Sequence, residues 1–124
     1  MIQKIKFVSI PIQDQNRALA FYTEKLGFQL LNDHPFHQEQ RWIELIIPGA
    51  ETQVVLFTPE GQENRIGQMM NLAWTSNNVQ DTYDQYVQRG VEFIQPPQKM
   101  PWGTMALFKD SEGNVHCISE QDSV

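Results

Sequence analysis

Few side chains in this 124-residue sequence are equipped for chemistry, and they cluster at a handful of positions. In the run Arg41-Trp42-Ile43-Glu44-Leu45-Ile46-Ile47 a carboxylate stands two residues from an indole, so in an extended strand both point to the same side. If Ile43, Leu45 and Ile47 pack under a helix layer, Trp42 and Glu44 face the open side. There the carboxylate can serve as a general base or hold a ligand cation. With the faces reversed, Glu44 pairs with Arg41 or another surface cation. The thiol of Cys117 has no base or helix N-terminus nearby in sequence to activate it, which favours a packed cysteine over a nucleophile. His116 alternates with Cys117 and reads as a packed or rim histidine. His34 and His37 are three apart, but Pro35 lies between them and no helix is expected, so nothing fixes them on one face. Trp102, in Pro101-Trp102-Gly103, sits at the mouth of a hairpin. With Phe7 and Trp42 it could clamp a flat apolar molecule, and core packing is the alternative for each. Trp74 alternates with Leu72 and is assigned to packing.

The elements that must position these residues occur twice. Ile5 to Ile12 alternates as a strand, Asp14 stands as an N-cap, a helix is predicted from about Asn16 to Lys25, and Gly27 stops it. The second copy has a strand over Asn71 to Ser76, a cap at Asn78, a helix from about Val79 to Arg89 and a stop at Gly90. Phe7 matches Asn71 at an offset of 64 and Gly27 matches Gly90 at 63, so one residue of slippage accumulates. Leu19, Tyr22 and Leu26, flanked by Ala18 and Phe21, form the apolar stripe of the first helix; Val79, Tyr83, Tyr86 and Val87 form that of the second. Strands are expected over Phe28 to Leu31, Arg41 to Ile47 and Thr52 to Phe57, then over Glu92 to Ile94, Thr104 to Phe108 and Val115 to Ser119. Pro48-Gly49, Pro59-Glu60-Gly61, Pro96-Pro97 and Glu112-Gly113-Asn114 read as breaks. Asn32 to Gln40 reads as a mobile loop, and Glu60 to Gln68 as the connection between halves. Each half is thus βαβββ, with module one at about 4–58 and module two at about 69–120.

Two independent domains of about 60 residues would be marginal, so the halves are expected to share one core within a single domain, 1–124. A single cysteine excludes an intrachain disulfide framework, and no apolar run is long enough to span a bilayer, so the expected address is the cytoplasm. A net charge of −6 without a basic cluster argues against nucleic acid and suits a neutral or cationic ligand.

Phe7-x-Ser9-x-Pro11-x-x-Asp14, followed by Ala20-Phe21-Tyr22-x-x-x-Leu26-Gly27-Phe28, resembles the opening of the vicinal oxygen chelate superfamily of glyoxalase I, bleomycin and fosfomycin resistance proteins and extradiol dioxygenases. Pro101-Trp102-Gly103 with Phe108-x-Asp110-x-Glu112-Gly113-Asn114 resembles its closing strand-turn-strand. The resemblance implies an α+β fold of two βαβββ modules, whose curved mixed sheet surrounds a cavity with the helices outside, and a homodimer. It also implies four metal-ligand positions. Carried over one by one, they fall on Phe7, about Val55, Asn71 and Cys117, none of which belongs to the usual His, Glu or Gln set. A two-residue shift would put Gln53 in place of Val55. No metal and no cofactor is therefore expected. The expected function is binding or sequestration of a small hydrophobic or cationic molecule by Phe7, Trp42, Glu44, Val55, Asn71, Trp102 and Cys117. The alternatives are a metal-dependent glyoxalase I-like lyase or dioxygenase, and a metal-independent isomerase or lyase using Glu44. Neither a nucleic-acid nor a membrane partner is expected.

Overall fold

The computed structural model describes residues 1–37 and 39–120. The chain divides into two compact units, one over Met1–Ile66 and one from Gly67 onward. Each is a βαβββ module with a four-stranded mixed sheet, as the repeat requires.

The first module runs β1 (Phe7–Pro11), α1 (Gln15–Ala20), β2 (Gln29–His37), β3 (Gln40–Ile46) and β4 (Gln53–Phe57), with sheet order β1-β4-β3-β2. β1 and β4 are parallel, while β3 is antiparallel to both β4 and β2. Alternation sorts the side chains. Ile10, Ile43, Leu45, Val54 and Leu56 are fully buried, on the face against which Ala18, Phe21, Tyr22 and Leu26 of the helical segment are buried. This settles the face of β3: with Ile43 and Leu45 in the core, Trp42 and Glu44 stand on the other side, partly exposed.

The second module runs β5 (Met69–Ser76), α2 (Val79–Gln88), β6 (Glu92–Met100), β7 (Gly103–Lys109) and β8 (Val115–Glu120), in the order β5-β8-β7-β6. Here the helix-side face holds Trp74, Ala106, Phe108, His116 and Ile118. Tyr83, Phe93 and Phe108 form an aromatic layer at centroid spacings of 4.6 and 5.7 Å, and His116 stacks on Phe108 at 5.1 Å.

Both caps form as their residue types dictate. Asp14 Oδ1 accepts from the Arg17 amide at 3.0 Å, and Asn78 Oδ1 accepts from the Asp81 amide at 3.0 Å. Gly27 and Gly90 close the two helices at φ of 86° and 88°, a region costly for any residue with a Cβ. The one-residue slippage has a structural cause. After Ala20 the first helix widens into a π turn over Phe21–Lys25, where the Leu26 amide reaches the carbonyl of Phe21, five residues back. A π turn accommodates one more residue than an α turn over the same length.

Several expectations are corrected. Residues 32–37, read as a loop, continue β2, and Pro96-Pro97, read as a break, lies inside β6. Both are edge strands, where a residue without an N–H is tolerated, and the pairing skips a residue near Pro35 and between Gln95 and Gln98. Gln38, within that expected loop, lies outside the described residues. Val87 is exposed, so the buried stripe of α2 is carried by Val79 with the half-buried Tyr83 and Tyr86. The connection contains a short 3₁₀ turn, Glu63–Arg65. Among the described residues no helix is long and apolar enough to cross a membrane.

Candidate functional site

On the open face of the first sheet, strand pairing sets Ser9, Val55, Glu44 and Asn32 in one row across β1, β4, β3 and β2. Trp42 and His34 lie in the next row, and Phe7 pairs with Gln53 on the far side of Ser9 and Val55. The rings converge on Trp42. Phe7 meets it edge-on at 5.8 Å and an interplanar angle of 84°, and Phe36 leans over it at 5.4 Å and 44°. Trp42 Nε1 donates to Glu44 Oε1 at 2.5 Å, a bond that the two-residue spacing on one strand face makes available. Val55, in the middle, is buried, whereas Phe36 at the end of β2 is 57% exposed. The sequence reading missed Phe36, because it lay in the segment assigned to a loop.

Phe7, Trp42, Glu44 and Val55 are therefore together on one face of the first module. The corresponding face of the second is different. Cys117 pairs with Ala73 on one side and Leu107 on the other, so small and aliphatic groups surround the thiol, and burial pushes its pKa up. A raised thiol pKa keeps sulfur protonated and works against nucleophilic use. Asn71 is exposed at an irregularity of β5, where four residue steps from Met69 to Ala73 oppose two from Val115 to Cys117. Trp102 lies in the turn joining β6 to β7 and is exposed.

The repeat also fixes which residue of β4 corresponds to Cys117. Ser9 and Ala73 each precede their helix cap by five residues, and their strand partners are Val55 and Cys117. Val55, rather than Gln53, is the equivalent position.

A polar cluster lies on the opposite, helix-side face of the second sheet; the sequence placed His116 and Trp74 among packed residues without linking them to each other or to Asp110 and Asn114. Trp74 Nε1 donates to His116 Nδ1 at 3.0 Å. An indole nitrogen can only donate, so Nδ1 carries a lone pair and the ring proton sits on Nε2, 3.2 Å from Asp110 Oδ2. Asp110 also accepts from the amides of Glu112 and Asn114 and from Asn114 Nδ2, at 2.8 to 3.0 Å. His116 and Asn114 are fully buried and Asp110 nearly so. This network ties β5 to the β7–β8 turn and faces no open surface. The signal for it was present: a histidine and a tryptophan on the packed face need polar partners, and Asp110-x-x-x-Asn114 supplies them.

An open polar cleft of about 810 Å³ lies beside the start of α1. Half of its lining residues are committed to architecture. Gln15 bonds both the N–H and the carbonyl of Arg41, Gln40 accepts from the Thr58 amide, and Arg41 clasps Asp33 and Asn16.

Residues 4–118 match the Glyoxalase/Bleomycin resistance protein/Dioxygenase superfamily. The chain belongs to that superfamily. Among relatives of this superfamily member, the uncharacterised protein YetH of Bacillus subtilis (strain 168) is 35% identical over 97% of this chain and all of its own. A superfamily member from Sphaerobacter thermophilus DSM 20745 superposes with a TM-score of 0.87 at 32% identity, covering 97% of this chain and 98% of that one. TnmS3, an antibiotic binding protein from Streptomyces sp. CB03234, superposes with a TM-score of 0.85 at 31% identity over 98% of each chain. These likenesses agree with the α+β fold of paired βαβββ modules.

Proposed function

We propose that this superfamily member binds a small flat molecule, apolar or cationic, on the aromatic face of its first module and retains it without transforming it. The observation that carries this reading is the convergence of Phe7, Phe36 and Trp42 beside the Glu44 carboxylate. Flat rings at right angles offer one surface for stacking and one for edge contact, suited to an aromatic guest. TnmS3, so similar over nearly the whole chain, is named for binding an antibiotic, which supports a ligand-holding role. The second module presents Asn71, Cys117 and Trp102 as further candidate contacts on its own surface.

The four positions where metal-dependent members of the superfamily hold their ion do not fit one here. Phe7 and Val55 have no lone pair, Asn71 offers one amide, and Cys117 a lone thiol. A donor set of this kind cannot replace the His and carboxylate shell that a divalent ion requires. Elemental analysis of protein purified without chelators should find transition metal well below one ion per chain; a stoichiometric ion would sink the reading. Calorimetric titration with neutral acridone and cationic 9-aminoacridine tests the binding face itself. At least one should bind, and Phe7→Ala should weaken it roughly tenfold. Failure of both probes to bind would overturn the proposal.

A further inference from the structure

Resting on that aromatic face as the binding site, we infer that its ligand carries a protonated nitrogen with an N–H to give, and that Glu44 is the residue that selects for it. Among the described residues Glu44 makes one hydrogen bond, from Trp42 Nε1 to Oε1, and no ion pair. A partly buried carboxylate is normally met by a cation, because desolvation of the charge is otherwise uncompensated. The nearby cations are turned elsewhere. Arg41, the preceding neighbour of Trp42, points through the opposite side of β3 to Asp33 and Asn16. His34, across from Trp42 in the pairing, makes no ion pair with Glu44.

The indole bond does two things to this carboxylate. It fixes the rotamer, so that the carboxylate lies beside the ring plane of Trp42, and it occupies Oε1, which leaves Oε2 as the acceptor for a guest. A flat ligand stacked in the corner of Phe7 and Trp42 brings a nitrogen at its rim to Oε2. Coulombic attraction and a charge-assisted hydrogen bond then act on one group. A neutral isostere gains the stacking and, at most, a hydrogen bond from an uncharged N–H, without the Coulombic attraction. A quaternary ammonium gains the charge but has no proton to donate. The ligand class is thus a planar aromatic bearing a primary amine, amidine or protonated ring nitrogen.

The test compares 9-aminoacridine with acridone, a neutral ring system of nearly the same outline, by calorimetry on the full chain and on Glu44→Gln. The glutamine carbonyl can still accept from Trp42 Nε1, so the variant removes charge with little change of shape. Native protein should bind the cation at least about tenfold more tightly than acridone. Glu44→Gln should abolish that preference by weakening 9-aminoacridine at least about tenfold more than acridone, and added salt should weaken the cation far more than the neutral ring. Equal binding of both probes by the native protein, or a preference that survives in Glu44→Gln, overturns this inference while the aromatic-face reading stands. Binding of neither probe overturns both. Phe7→Ala provides the control: it should weaken both probes by a similar factor and leave their ratio intact.

Discussion

The two modules share one frame and put their polar chemistry on opposite faces of it. Each has a tryptophan whose indole N–H is committed to a side chain of its own sheet. In the first module Trp42 donates to Glu44 on the open face, over a core of purely aliphatic strand residues such as Ile10, Val54 and Leu45. In the second Trp74 donates to His116 on the helix side, in a sealed network with Asp110 and Asn114, while the open face around Cys117 carries Ala73 and Leu107. The equivalents of Trp74 and His116 in the first module are Ile10 and Val54. A duplicated sheet can therefore keep its backbone plan while one copy turns a polar network inward, under the helix, and the other turns a polar pair outward.

Asp110→Ala should produce the largest effect, because it strips four donors of a common buried acceptor. We expect a loss of about 3–5 kcal/mol in urea denaturation. A loss below about 1 kcal/mol would break the distinction between sealed and open networks. Next in size is the contrast between the two tryptophans. Trp42→Ala should weaken aromatic probes by roughly 10- to 100-fold with stability nearly kept. Trp74→Phe should leave binding unchanged and cost about 1–2 kcal/mol for the stranded Nδ1 of His116. Matching phenotypes would erase the comparison.

Cys117 gives a smaller, pH-dependent effect. Because burial raises the folded-state pKa, the folded chain holds this proton more tightly than the unfolded one. The associated stability is present below the unfolded thiol pKa and is lost as pH climbs from that value through the folded one. Iodoacetamide labelling of the native protein should accordingly have its pH midpoint above that of a cysteine peptide; a lower midpoint would mark an activated thiol. The smallest effect belongs to His37→Ala, an exposed edge-strand change expected to move stability by no more than about 0.5 kcal/mol and to leave nickel or zinc affinity as it was.

Much of this frame is legible in the sequence, for local reasons. Asp14 and Asn78 as caps, Gly27 and Gly90 as stops, and the alternation through β1, β3 and β8 all act over a few residues, so pattern alone identifies them. β2 and β6 were read too short because Pro35, Pro96 and Pro97 look like breaks until it is known that their strands lie at sheet edges. Alternation places Trp42 and Glu44 together, but only the burial of Ile43 and Leu45 decides which way they face. Phe36 was missed because its contact with Trp42 depends on how far β2 extends. The Asp110–His116 relay was missed because Asp110 and Asn114 also fit an ordinary turn, and their inward role depends on a tryptophan 36 residues from Asp110.

The π turn at Phe21–Lys25 carries a further consequence for how this chain can change. In an α-helix a single inserted residue rotates everything beyond it by about 100°, which would carry Phe21 and Tyr22 away from their sheet or force the following strands to shift. Here the surplus is absorbed within one widened coil, and the strands on either side keep their positions. Length differences between descendants of such a doubled gene can thus accumulate in the helix while the sheet stays in frame.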